Sequence, residues 1–314
     1  MSALFTIVLP VFLVIGFGYA VSWRGWFSES AVDGLMGFAQ NFAVPTLLFA
    51  SMARLDLGTE FRPDLLFAFY AGAFASYAAG WAGARFLFRR PAVDSVAIGF
   101  VCLFSNSLLL GIPITERAFG TQALDGNWTI IALHSPALYT FGITMMEFTR
   151  ARGSGLSVGR VAWRALSGVL RTPLVIGIAA GVIMNLLMQA GLVMPEGFWA
   201  AVEMIARAAL PAALFGLGGI LYRYRPEGDM ATIAMCCACA LILHPAVTFG
   251  LGHALGLDLA ATRSAVLTAA MPPGINAYLF ASIYGAARRV AASTVLIATV
   301  ASVFSIWVWL AILP

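Results

Sequence analysis

Two stretches of the sequence set proline, glycine and asparagine inside otherwise apolar runs. They are Phe104-Ser105-Asn106-Ser107-Leu108-Leu109-Leu110-Gly111-Ile112-Pro113 and Ala270-Met271-Pro272-Pro273-Gly274-Ile275-Asn276-Ala277-Tyr278. Proline in a helix interior has no N–H to give and clashes with the carbonyl four residues back. Leu109, Thr268 and Ala269 should therefore lose their ordinary partners, and both helices should break. At a break, the following half-helix presents unpaired N–H groups and roughly half a positive charge, which suits an anion. The opposing carbonyl ends suit a cation. Asn106 and Asn276 add amides that donate to a carboxylate or accept from water. Asn106, Gly111, Pro113, Pro272, Pro273, Gly274 and Asn276 are thus candidate substrate-binding residues. The alternative is that the prolines are kinks and the asparagines join neighbouring helices. Matched clusters in two places favour the site.

Arg207 is the eighth candidate. It follows Glu203 by four residues, so the two share a helical face and could neutralise each other where a lone charge is expensive. The same guanidinium could instead grip a carboxylate through its bidentate fork. His134, Glu147 and His244 are weaker candidates, for proton transfer. No nucleophile elbow, H-E-x-x-H or glycine-rich dinucleotide fingerprint falls on a suitable element, so no catalytic residue is expected. Asn127-Trp128-Thr129 matches a glycosylation acceptor, a pattern too short to mean much. Cys102, Cys236, Cys237 and Cys239 lie in apolar stretches and read as packing residues rather than as metal ligands. Neither a cofactor nor a metal is expected.

Of 314 residues, 61% are hydrophobic and only 10% charged. A soluble domain carries roughly 25% charged residues, so the solvent of this chain is lipid. All 18 basic residues are arginine. Without lysine there is no P-loop phosphate grip and no Schiff-base cofactor. The arginines form no continuous basic face, so no nucleic-acid partner is expected.

Ten apolar runs, each near the length of about 20 residues that a bilayer core requires, place the two stretches. They occupy 3–23, 34–53, 65–84, 95–115, 126–146, 172–195, 197–222, 230–257, 264–287 and 290–314. Their apolarity is continuous rather than alternating, which excludes a membrane β-barrel and predicts helices. The first run lacks a basic leader and a cleavage motif, and is expected to stay in the mature chain. Loops after odd-numbered runs hold Arg24, Arg89, Arg90, Arg150, Arg152, Arg160, Arg164, Arg171, Arg223, Arg225, Arg288 and Arg289. The other loops hold Arg54, Arg62, Arg117 and Arg263. By the positive-inside rule the arginine-rich side is cytoplasmic, and both termini lie outside. The segment 150–170 reads as a cytoplasmic linker, part of it an interfacial helix or else a solvated loop.

The halves on either side of that linker, 1–149 and 171–314, resemble each other. Pro10 with Gly18 matches Pro173 with Gly181, and Pro45 in the second run matches Pro211 in the seventh, at offsets of 163 and 166 residues. Arg207 then takes the repeat position of Asn41. Five spans per half is an odd number, so the repeats must insert in opposite senses. The expected fold is an all-α membrane protein of ten helices in two inverted five-helix repeats, with broken helices four and nine crossing.

Leu9-Pro10-Val11-Phe12 with Gly16, Gly18 and Tyr19, Val44-Pro45 to Phe49, Asn106 to Pro113 with Gly120, Pro272 to Ala277, Ala281, Tyr284-Gly285 and Ser293-Thr294 together resemble the auxin efflux carrier family, a bacterial member of it. That family is related in architecture to bile-acid symporters, and the resemblance spans essentially the whole chain. It implies a scaffold of spans one, two, six and seven, and a transport domain of spans three to five and eight to ten that moves as an elevator. It also implies a small organic anion as substrate, such as malonate, malate or an auxin-like acid, and location in a bacterial inner membrane. A homodimer would follow by analogy. A proton, a sodium ion or no coupling ion all fit the residues. The expectation is a secondary carrier for a carboxylate; the competing one is a membrane sensor that binds in the same pocket without transport.

Overall fold

A chain dissolved in lipid must satisfy its backbone N–H and C=O groups internally, and the helix does so within one segment. In the computed structural model, residues 4–55, 62–151, 171–224 and 229–314 are described, and no strand occurs among them. The linker expected at 150–170 lies almost wholly outside the described residues. In chain order the helices are α1 (Thr6–Trp23), α2 (Glu29–Arg54), α3 (Pro63–Leu87), α4 (Ala92–Leu103), α5 (Ile112–Phe119), α6 (Asp125–Arg150), α7 (Pro173–Gln189), α8 (Glu196–Arg223), α9 (Met230–Ala254), α10 (Leu259–Ala269), α11 (Ile275–Tyr284) and α12 (Arg288–Ile312). Seven of these, α1, α2, α3, α6, α8, α9 and α12, are long and apolar enough to cross a membrane. The protein is a multi-pass helical membrane protein. The other three apolar runs hold shorter helices: 95–115 and 264–287 are each divided in two, and α7 has 17 residues.

Prolines are accommodated by a recurrent device. π turns at Leu4–Val8, Ala39–Ala43, Ser107–Gly111 and Cys239–Leu243 are each followed, two residues on, by Pro10, Pro45, Pro113 and Pro245. Val44 N, for instance, donates to Ala39 O five residues back. The widened turn moves the hydrogen bonds by one residue and relieves the proline clash without ending the helix. Pro136 and Pro211 sit inside α6 and α8.

The chain divides into two compact units. The smaller comprises Val11–Phe61 and Leu166–Arg223, and so contains most of α1 with α2, α7 and α8. Within it, close backbone approach sets the packing. A Cβ at Gly18 of α1 would run into Phe215 O of α8, and one at Gly218 into Ile15 O. Gly177 and Gly181 of α7 likewise lie against Pro45 O and Phe49 O of α2. Small residues are what let helices approach this closely in lipid. Asn185 of α7 donates to the carbonyls of Met52, Ala53 and Leu55 at 3.2, 2.9 and 2.7 Å, and so closes the C-terminal end of α2.

The larger unit comprises Met1–Pro10, Arg62–Ala165 and Tyr224–Pro314. Here α3 packs against α4, α9 and α10. Ser76 of α3 donates to Cys239 O at 2.7 Å, which takes up a carbonyl in the π turn of α9. Phe100 of α4 and Phe280 of α11 stack with centroids 3.9 Å apart. The thiols of Cys102, Cys236, Cys237 and Cys239 are free.

Candidate functional site

The two divided runs are interrupted at one place in the larger unit. After α4, Phe104 and Asn106 leave helical geometry, with φ/ψ of −91°/83° and −78°/59°. After α10, Pro272 and Pro273 disfavour continuing the helix, and Gly274 opens α11 from φ −81°, ψ 170°. The interruptions run side by side, antiparallel, with Ser105 opposite Pro273. Asn106 N donates to Pro272 O at 2.8 Å, and Gly274 N to Phe104 O at 3.2 Å. Each break thus supplies part of what the other lacks. Pro273 has no N–H to leave over, so its lost donor costs nothing there.

Four half-helix ends converge on this bridge. The carbonyl ends of α4 and α10 arrive, while the π turn beginning at Ser107 and the helix beginning at Ile275 leave with N–H groups foremost. Leu110 N and Gly111 N both donate to Asn106 O, and Ala277 N donates to Gly274 O. The first N–H groups of each departing helix have no acceptor within the helix. The arrangement therefore offers donors to an anion and carbonyls to a cation within one buried region.

Six of the eight candidates lie at this bridge. Asn106 is 8% exposed, and Gly274 faces it so closely that a Cβ there would stand 3.5 Å from its Cα, Cβ and Cγ. Gly111 lies behind Asn106 O, and a Cβ on it would be 3.7 Å from that oxygen and 3.6 Å from Met271 Cγ. Pro272 and Pro273 form the second interruption. Asn276 is half-buried, and its carbonyl accepts from the Tyr139 hydroxyl at 3.2 Å.

Pro113 does not mark the break in its span, contrary to expectation. The π turn at Ser107–Gly111 carries the helix smoothly into it, and the interruption falls at Phe104–Asn106 instead. Arg207 belongs to the smaller unit, on α8, with its side chain 82% exposed. Its distance to Glu203 is 3.6 Å, whereas Arg54 holds the same carboxylate at 2.7 Å and lies 4.8 Å from the Trp199 ring centroid. The pair expected at Glu203 is thus chiefly Arg54–Glu203.

Polar groups buried around the bridge extend the site beyond the eight candidates, and His134, one of the weaker candidates, is among them. Asn127 of α6 is fully buried and donates to Thr268 Oγ1 of α10 at 2.7 Å and to Thr115 Oγ1 of α5 at 3.3 Å. It ties one half of each divided run together, and its burial removes it as a glycosylation acceptor. Ser105 and Ser107 share a hydrogen bond of 2.9 Å between hydroxyls. His134 of α6 places Nε2 3.1 Å from Ser105 O. His244 of α9, the other histidine candidate, bonds no residue of the bridge and faces Phe69 O at 3.3 Å instead. Among the described residues no group of three or more His, Cys, Asp or Glu side chains could hold a metal.

At the ends of the unit, charge pairs fasten the helices. Arg62 bonds both Asp64 and Asp258, joining the start of α3 to that of α10. The two carboxylates raise the Arg62 pKa further above its ordinary value. Asp258 is held below the usual carboxylate range, first by the Ala261 N–H that it caps and then by Arg62. Asp229, which caps α9 and pairs with Arg90 at 3.0 Å, is lowered chiefly by the Thr232 hydroxyl.

Comparison with known proteins fits a helical membrane protein. The sequence model of the family described as "Membrane transport protein" matches residues 3–310. A protein of Rhizobium meliloti (strain 1021) named "Putative malonate transporter" is 26% identical over 98% of this chain and 94% of its own length. The "Uncharacterized transporter YfdV" of Escherichia coli (strain K12) is 22% identical over 96% of this chain and 95% of its own. An "Uncharacterized transporter" of Methanothermobacter thermautotrophicus is 25% identical over 98% and 97%. With nearly the whole sequence matched, the chain belongs to the membrane transport protein family, as its resemblance to auxin efflux carriers implies, and is a transporter rather than an enzyme.

Proposed function

We propose that the protein is a secondary carrier for a small organic anion, with the substrate carboxylate bound where the two interrupted runs meet. The observation that carries this reading is the paired interruption. Asn106, Gly274 and two departing half-helix N-termini share one buried region. Donors collected there are expensive to leave without a partner. Gly111, Pro272, Pro273 and Asn276 shape the same site, and Pro113 follows it two residues beyond Gly111. The relative named for malonate favours a dicarboxylate.

Transport in this reading follows an elevator scheme. The ten apolar runs form two inverted five-helix repeats, at 1–149 and 171–314, joined by a cytoplasmic linker, with both termini outside. Spans one, two, six and seven act as scaffold, and spans three to five and eight to ten carry the site across the membrane. The division into two compact units along those lines supports this assignment. So does the glycine-mediated packing of α1 on α8 and of α7 on α2, which relates the halves of the smaller unit. The test is tracer flux into liposomes containing the purified protein, with mono- and dicarboxylates compared and proton and sodium gradients varied separately. The carrier reading expects saturable flux of at least one carboxylate. Binding of a carboxylate without flux would instead make the protein a sensor.

A further inference from the structure

The imidazole of His134 keeps one nitrogen unused beside the bridge. His134 is 4% exposed, and its Nε2 lies 3.1 Å from Ser105 O and 3.4 Å from Ser107 Oγ. A carbonyl oxygen can only accept, so Nε2 carries the hydrogen and donates to Ser105, which fixes the tautomer. Nδ1 is then a bare acceptor, buried and without a partner. Ser105 is paired with Pro273 and adjoins Asn106, so the ring is one hydrogen bond removed from the anion site.

Among the described residues, nothing that bonds the ring or stacks on it would balance a charge on it. Phe69 and Phe104 flank it at centroid distances of 5.7 and 4.7 Å. Tyr70 of α3 donates its hydroxyl to Ile130 O, and Tyr139 of α6 to Asn276 O. On α9, His244 lies against Phe69, at 5.0 Å between ring centroids. Asp94 of α4 accepts from Ala287 N, Arg117 of α5 donates to Thr6 O, and Arg263 of α10 donates to Pro314 O. The titratable groups of α11 are tyrosines. Among the described residues, no carboxylate or guanidinium bonds His134.

We propose that His134 Nδ1 is the proton site of this carrier, filled together with the substrate carboxylate; this rests on the bridge being an anion site. A proton from the aqueous phase bonds to the Nδ1 lone pair while Nε2–H stays on Ser105 O. The imidazolium alone would be a buried charge without a counter-ion, and the carboxylate supplies that counter-ion. Each ligand therefore tightens the binding of the other by the same factor. On the far side the anion leaves, and the proton returns from Nδ1 to water.

Two measurements test this with malonate as the probe and, should malonate not bind, with each carboxylate of the flux panel. In weakly buffered detergent solution, a pH dye should report close to one proton taken up per anion bound by the wild type and by H244Q. H134Q should show uptake falling to near zero. In protein labelled with 15N-histidine, the Nδ1 resonance that H134Q removes should move to the protonated position when the anion is added to wild type. The second measurement holds even if H134Q folds poorly, since the observed protein is wild type and the signal can be assigned from H244Q and the double variant H244Q/H253Q. Flux without proton uptake, or an unmoved Nδ1 resonance in protein saturated with anion, overturns the proposal and leaves the carrier intact. If no carboxylate binds or moves, the carrier reading fails and the proton site with it.

Discussion

Gly274 and Asn106 face each other across the paired interruptions, with room for a methyl group between them and little more. A Cβ on Gly274 would meet Asn106 at 3.5 Å, an ordinary van der Waals contact. Gly18 is the opposite case, because its Cβ would collide with the Phe215 backbone. G274A should therefore fold normally and alter substrate affinity, whereas G18A should lower the melting temperature sharply or abolish folded yield. Thermal unfolding in detergent distinguishes them, and equal behaviour of the two would contradict the packing described.

Asn127 joins α6 to α5 and α10 through Thr115 and Thr268. N127A leaves two buried hydroxyls without their donor, at about 1–3 kcal/mol for an unsatisfied buried group. A melting temperature several degrees lower is expected. Combining N127A with T268V should recover part of the loss, because the orphaned hydroxyl is then removed too.

Asn185 closes the end of α2 by reaching three carbonyls. N185L should destabilise the protein by about 1–3 kcal/mol. The loss should appear as faster hydrogen exchange near Met52–Leu55, with the larger unit unaffected.

Acid should loosen the charge pairs at the helix ends. Asp229 and Asp258 both have folded pKa values below the ordinary carboxylate value of about 3.9. Each therefore contributes stability that is fully present above that value and is lost as pH falls through the depressed one. Both side chains are partly exposed, so the contributions are screened and modest. D258N should flatten the fall in melting temperature between pH 5 and roughly pH 3. An unchanged slope would show that Asp258 is not held down in the folded state.

Much of this was visible in the sequence, and what was hidden has physical causes. Runs of apolar residues specify helices in lipid because no other open structure satisfies the backbone, and Pro272-Pro273-Gly274 can hardly be anything but a break. The other break falls at Phe104–Asn106 rather than at Pro113, since a π turn lets a helix absorb a proline and Asn106 carries no comparable signal. Asn127 and Thr268 are 141 residues apart, and Arg54 and Glu203 149. No local spacing encodes such partners. Glu203 and Arg207, four residues apart, looked like the natural pair, and a distant arginine on α2 took the shorter bond.

Whether the substrate binds where the interrupted helices meet is decided by tracer uptake in liposomes carrying wild type, N106A or N276A at equal protein density, using a carboxylate that the wild type transports. Both variants should keep the wild-type melting temperature within a few degrees while uptake falls at least tenfold in N106A and measurably in N276A. Wild-type uptake by both, in folded protein, would mean that the substrate does not bind where the interrupted helices meet.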